Sequence, residues 1–268
     1  MIESTFCIFP GIGPRIERYL WRLGVFTWTD FLECEKVPGM STSRKSLIDD
    51  YILEAQDEWN DGNLLYFKYL LGPGSIWRLW GRLSADALCL DIETDGKRPG
   101  EGLLTVAGFY SHGEYRPYIC GRNLTEEAVH REFADARLLV TFSGATFDLP
   151  YLKTVYPDLD LDIPHLDLCP AGHKVGLKGG LKKVEKLMGI QRADELEGVS
   201  GYEAVLLWRA HLNGAPGALE TLVSYNREDT MNLQLLADRF YGMLRDGSGI
   251  TEFIRERGGP PCVLTGNK

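Results

Sequence analysis

The sequence predicts an α/β protein, a mixed sheet flanked by helices and preceded by a small all-α segment. Three observations carry this reading. Residues 1–71 show helical periodicity with little strand character. From residue 86 onward, short apolar strand patterns alternate with amphipathic helical ones, as layered α/β packing requires. Between the two, Leu70-Leu-Gly-Pro-Gly-Ser75 punctuates the chain. The expected domains are therefore residues 1–71, residues 76–246 and a tail, 247–268.

Taken in order, Phe9-Pro-Gly-Ile-Gly-Pro-Arg15 is a tight turn followed by Ile16, Leu20 and Leu23 at helical spacing, and Gly24 stops that helix. Two glycines in a turn between short helices let backbone amides approach a phosphate, and Arg15 and Arg18 at the helix start would strengthen the contact. Val37-Pro-Gly-Met-Ser-Thr-Ser-Arg-Lys45 is a looser version that reads as a plain helical turn. Ile76-Trp-Arg-Leu-Trp80 leads into the first strand, with its tryptophans expected to pack as core or interdomain cover rather than as base-stacking platforms. Strands are expected at 86–92, 103–110, 114–120 and 137–142, with Asp95-Gly-Lys-Arg-Pro-Gly100 turning the first hairpin. Helices are expected at 125–135, 147–155, 180–188, 200–212 and 217–244, with Gly189 closing the third. Antiparallel strands first and a crossover helix next put the first strand at the centre of the sheet. The Gly- and Pro-rich tail after Asp246 is expected to dock loosely or fray.

The six cysteines are scattered with no C-x-x-C pair, so neither a zinc knuckle nor a disulfide framework is indicated, and a reducing cytoplasm is expected. The N-terminus lacks the charged and apolar regions of a leader, and no apolar run is long enough to cross a bilayer, so a soluble cytoplasmic protein is expected. The net charge of −9 opposes a broad nucleic-acid clamp. Residues 1–70 share that sign, with seven Lys/Arg against eleven Asp/Glu. Residues 172–192 reverse it: Lys174, Lys178, Lys182, Lys183, Lys186 and Arg192 stand against Glu185 alone. That run is either a solvated helix face or a track for phosphates.

The stretch Leu88-Cys-Leu-Asp-Ile-Glu-Thr94 organises the chemistry. Side chains alternate along a strand, so Asp91 and Glu93 leave one face together while Leu88, Leu90 and Ile92 leave the other. Adjacent carboxylates repel, and a divalent cation with hard oxygen ligands, Mg²⁺ or Mn²⁺, keeps both ionised. Farther on, Phe147-Asp148 sits where a strand and Gly turn enter a helix, and Tyr225-x-x-x-Asp229 puts a phenol and a carboxylate on one helix face. Alone, each is a strand end, a capping acid or a helix surface.

Together, in this order, the motifs resemble those of DEDD-type exonucleases of the ribonuclease-H-like superfamily, in the tyrosine-bearing subclass. More narrowly, the chain resembles the YprB-like family, which joins a helix-hairpin-helix-like segment to such a domain. The likeness rests on Pro10-Gly-Ile-Gly-Pro14, Trp77-Arg-Leu79, Asp91-Ile-Glu-Thr94, Phe147-Asp-Leu-Pro150, His165-Leu-Asp-Leu168, Leu181-Lys-Lys-Val-Glu185 and Tyr225-Asn-Arg-Glu-Asp229. It implies that Asp91, Glu93, Asp148 and Asp229 hold two Mg²⁺ or Mn²⁺ ions and that Tyr225 orients the attacking water in a 3′-5′ exonuclease. Such relatives commonly carry Asn where Ser143 stands, and serine has the shorter reach.

The expected nucleic-acid contacts are Gly11, Gly13, Arg15, Thr94, Ser143, Lys178 and Lys182, with single-stranded DNA or 3′ ends as the partner. Four carboxylates match the charge of two divalent ions, which activate water and stabilise the phosphate without a protein nucleophile. His165 and His173 are expected to be structural, and Asp162 and Asp167 to be surface or capping acids. Two other readings compete: a catalytically silent nucleic-acid-binding module, and a metal-dependent small-nucleotide hydrolase, which the acidic net charge would suit.

Overall fold

The computed structural model of the protein describes residues 1–193 and 201–257. The chain divides into two compact units, Met1–Arg82 with the residues from Tyr241 onward, and Leu83–Phe240.

The first unit is helical, with α1 (Pro14–Leu23), α2 (Trp28–Glu33), α3 (Thr42–Asn60), α4 (Leu64–Leu71) and the start of α5 (Trp80–Leu83). Local chemistry sets the helix ends. Pro14 opens α1 and Gly24 closes it at φ 88°, in the left-handed region that favours glycine. Thr27 and Asp30 form a reciprocal capping box on α2. Phe6, Trp21, Trp28, Phe31, Ile48 and Phe67 make the core. Within it, Arg78 of the Trp77-Arg-Leu79 motif reaches Glu17 at 2.8 Å, and the Cys7 thiol donates to the same carboxylate at 2.9 Å.

Gly11-Ile12-Gly13 is preceded by a single 3-10 turn, Ile2–Ser4, rather than by a full helix. The looser turn at Gly39 is the one that joins two helices, α2 and α3. Arg44 ties the two turns together by donating to the Gly11 carbonyl at 2.6 Å.

The second unit is built on a five-stranded mixed sheet in the order β3-β2-β1-β4-β5. The strands are β1 (Ala87–Thr94), β2 (Leu104–Ser111), β3 (Glu114–Ile119), β4 (Leu138–Thr141) and β5 (His165–Asp167). The first three are antiparallel, and β4 and β5 run parallel to β1. His112 and Gly113 both have positive φ and close the two-residue β2–β3 hairpin, the turn whose twist suits a tight hairpin. The acidic strand is central, as expected.

On one face Leu88, Leu90 and Ile92 pack with Phe109, Phe133, Tyr151 and Leu152, under α6 (Glu126–Ala134) and α7 (Asp148–Val155). On the other, Val106 packs with Ala204, Trp208, Leu222 and Tyr225 of α10 (Gly201–Leu212) and α11 (Ala218–Ser248). Two short helices, α8 (Leu168–Lys174) and α9 (Leu181–Leu187), complete this unit.

At the C-terminus the outcome differs from the expected loose tail. α11 continues to Ser248 and α12 follows at Ile250–Arg257. Ile250 is buried, and Arg18 donates to the Ser248 carbonyl at 3.0 Å, so apolar burial and a side-chain bond hold what glycine content argued against. The rest of that segment, 258–268, lies outside the described residues.

Candidate metal centre

The site forms where β1 and β4 part. Their parallel pairing covers only Ala87–Cys89 against Leu138–Val140, because β4 stops at Thr141 and turns away. The Ile92 amide is instead met by a side chain: Asp148 Oδ1, from the first residue of α7, accepts from it at 3.1 Å. On the other side of β1 the register with β2 shifts between Glu93 and Thr94, where β2 carries one extra residue, Thr105. Asp91 and Glu93 leave that end toward α11, where Asp229 projects back. Each of Asp91, Glu93 and Asp229 offers a carboxylate oxygen within 4.8 Å of the others.

The turn that delivers Asp148 is held by Asp167. This acid accepts from the Ser143 amide at 2.8 Å, the Ala145 amide at 3.2 Å and the Cys169 amide at 3.1 Å, so it caps α8 and fastens the 143–145 turn. Ser143 itself has φ 65°, which costs serine more than it costs glycine, which lacks a Cβ, or asparagine, whose short side chain bonds locally in that conformation. His165, expected to be structural, has its Nε2 2.8 Å from the Thr141 hydroxyl.

Burial decides the electrostatics. Glu93, Asp148 and Asp229 are 8%, 4% and 6% exposed, so little water remains to stabilise their charges. Burial first, then the charges of Asp229 and the other acids, hold Asp91 and Glu93 well above the usual carboxylate range. Burial pushes Asp148 up to about 7 even though the Ile92 amide favours its anion. Asp229 is raised by burial against the opposing pull of Arg192, which pairs with its Oδ1. Buried carboxylates that disfavour one another's charge are an all-oxygen donor set suited to hard divalent cations, so the residues fit the implied metal.

Two neighbours of Asp229 complete the centre. Tyr225 lies beside Asp229, and burial followed by that charge raises the pKa of its hydroxyl. The Lys182 ammonium stands 4.4 Å from the Tyr225 ring centroid.

The sequence reading missed the residue that holds Asp91. Asn226, fully buried, donates through Nδ2 to Asp91 Oδ2 at 2.8 Å and to the Asp91 carbonyl at 3.1 Å, while its Oδ1 accepts from the Tyr115 hydroxyl at 2.8 Å. Space for its carboxamide comes from Gly108, the β2 partner of Asp91. A Cβ on Gly108 would collide with Asn226 Oδ1 and come within 2.7 Å of Thr230 Oγ1. Asn226 lies inside the quoted Tyr225–Asp229 run, which was the available signal. Arg192 and Glu185 were also missed as site residues; the one acid in a basic run was the hint.

Of the expected residues, Asp91, Glu93, Asp148, Tyr225, Asp229 and Lys182 thus come together. Thr94 is buried at the end of β1, and its hydroxyl accepts from the Gly96 amide at 3.3 Å. Lys178 is exposed between α8 and α9. Gly11, Gly13 and Arg15 belong to the first unit.

No helix among the described residues is long and apolar enough to cross a membrane. A search of curated proteins finds no match to the chain. The family model RNase_H_2, of the RNase H superfamily, matches residues 88–241, from β1 into α11. That is more than half of the sequence and includes every acid of the centre, so the chain belongs to the RNase H superfamily.

Proposed function

We propose that the protein is a divalent-metal-dependent 3′-5′ exonuclease of the DEDD type, tyrosine subclass. Superfamily membership points to a metal-dependent nuclease. The finer reading is supported by one observation above all, the convergence of Asp91, Glu93 and Asp229, with Asp148 anchored on Ile92 and Tyr225 beside Asp229.

Asp91, Glu93, Asp148 and Asp229 hold Mg²⁺ or Mn²⁺, two per site, which when bound lower the pKa of water and offset charge on the phosphate and leaving oxygen. Asn226 fixes the Asp91 carboxylate so that it presents one geometry. Tyr225 orients the attacking water through its hydroxyl, and its ring fixes where that hydroxyl lies. Water attacks the phosphorus, the 3′ oxygen leaves, and a nucleoside 5′-monophosphate is released. Thr94, Ser143, Lys178 and Lys182 contact the strand that enters. The helix-hairpin-helix-like segment, residues 1–71 in our division, adds phosphate contacts through Gly11, Gly13 and Arg15, at the start of α1.

The test is to incubate full-length protein with single-stranded DNA, duplex DNA and RNA, each labelled at one end, in Mn²⁺, Mg²⁺ or EDTA. The expected result is a metal-dependent ladder that shortens from the 3′ end and is absent in Asp91→Ala and Asp148→Ala. Binding without cleavage in every metal would favour a silent module, and cleavage of free nucleotides alone would favour the small-substrate hydrolase. An Asp91→Ala protein that cleaves as fast as wild type would overturn the site.

A further inference from the structure

Two cations stand beside the acids described above, Lys182, placed above only as a contact of the entering strand, and Arg192, to which no role has been given. Lys182 of α9 and Arg192, which follows that helix, both lie over the Tyr225 ring, 4.4 Å and 5.8 Å from its centroid. Arg192 is held from behind. Its Nε donates to Glu185 Oε2 at 2.6 Å, its Nη2 lies 2.6 Å from the same oxygen, and Glu185 is 1% exposed. Asn232 Nδ2 donates to the other oxygen of Glu185 at 3.0 Å, which fixes the carboxylate that fixes the guanidinium. Nη2 also pairs with Asp229.

A tie between α9 and α11 would use only Nε and Nη2. It leaves Arg192 Nη1 and Lys182 Nζ, both buried and both without a hydrogen-bond partner among the described residues. Buried donors without acceptors are costly, and a guanidinium edge beside an ammonium matches the oxygens of a phosphate. Four carboxylates are at best neutralised by two divalent ions, so a phosphate anion arriving there gains from further fixed positive charge beside them.

Resting on the proposed nuclease reading, we infer that Arg192 and Lys182 form an anion-binding pair for the phosphate processed at this centre, with Glu185 as the positioning residue for Arg192. The ligand class is a terminal nucleotide phosphate, the group carried by the nucleoside 5′-monophosphate product. The Tyr225 ring is the shared platform, and each cation is oriented by a contact distinct from the one that binds the anion.

The experiment is calorimetric titration of deoxythymidine 5′-monophosphate into full-length protein saturated with Mn²⁺, alongside the cleavage assay on wild type. Losing one charge-assisted contact should weaken binding about tenfold or more in both Arg192→Gln and Lys182→Gln. Glu185→Gln should weaken it less, because the guanidinium remains but is held less firmly. Arg209→Gln, an exposed change of the same charge on α10, should leave it unaltered. Mn²⁺ affinity measured without nucleotide should not fall in Arg192→Gln, since no metal ligand is removed.

Nucleotide affinity within twofold of wild type in Arg192→Gln would overturn the pair. If that variant fails to fold, Lys182→Gln decides by the same measure, because Nζ makes no hydrogen bond among the described residues. Wild type that cleaves polynucleotide while both variants bind normally sinks the pair alone. Wild type that binds the nucleotide through Arg192 and Lys182 but cleaves nothing supports the pair and sinks the nuclease reading. Wild type that does not bind the nucleotide overturns the pair.

Discussion

Gly108→Ala is the smallest change that should disable the centre, although residue 108 touches no substrate. The new methyl group would collide with Asn226 Oδ1, lie 2.9 Å from Asn226 Cγ and lie 2.7 Å from Thr230 Oγ1. All three are fixed atoms: Asn226 is bonded to Asp91 and Tyr115, and the Thr230 hydroxyl donates to the Asn226 carbonyl at 2.7 Å. Relief requires either loss of the Asn226 carboxamide from its seat or outward movement of α11. Forced overpacking of this kind costs about 1–3 kcal/mol. Outward movement carries Tyr225 and Asp229 with it, and a misplacement of about 1 Å at a reacting centre costs on the order of 100-fold in rate.

Urea unfolding should therefore show a lower midpoint, and calorimetry should show weaker Mn²⁺ binding. The double variant Gly108→Ala/Asn226→Ala should recover stability relative to the sum of the two single changes, because the added methyl fills space that the carboxamide vacates. Strictly additive losses, or a Gly108→Ala protein within about 0.5 kcal/mol of wild type with unchanged Mn²⁺ affinity, would refute the steric account.

Ser143→Asn should raise stability by about 0.5–1 kcal/mol without loss of Mn²⁺ binding, since asparagine tolerates the left-handed φ of 65° better than serine; a lower urea midpoint would speak against it. Tyr225→Phe should slow single-turnover cleavage roughly 100-fold while sparing metal affinity, and a rate within about twofold of wild type would demote the hydroxyl. The metal-free protein should lose stability as pH rises from about 4 to about 7, because folded Asp148, pushed up to about 7, and Asp91 and Glu93, also raised, keep protons that the unfolded chain has released. Saturating Mn²⁺, which binds the deprotonated acids, should close the gap in melting temperature between pH 5 and pH 8. A metal-free profile that is flat or rises over that range would count against the cluster.

Much of this fold was legible because alternation and helical spacing are local properties. β1 to β4 and the helices flanking them fall within a few residues of their expected ends. β5 escaped because His165-Leu-Asp167 is too short to alternate, and α8 because Pro170 and Gly172 lie inside it. The four acids and Tyr225 could be read from motifs. Gly108 and Tyr115 could not, and Asn226 only by its place inside the Tyr225–Asp229 run, because their roles arise where β2, β3 and α11 meet. Asp167 was expected to be a surface or capping acid; its three amide partners show one acid capping a helix and closing a turn at once.

The Ile92 amide offers a probe of the centre that needs no substrate. In an ordinary ladder this proton would face a carbonyl of the next strand, whose position the sheet fixes; here it faces Asp148 Oδ1. Its exchange with deuterated solvent and its nitrogen chemical shift therefore depend on what the carboxylate is doing. A divalent ion that draws the carboxylate toward itself would change both at Ile92, while Leu88 and Leu90, on the same core face of β1, would scarcely respond. One backbone resonance in the middle of the sheet can thus be followed as the occupancy gauge of a site built from side chains far apart in sequence.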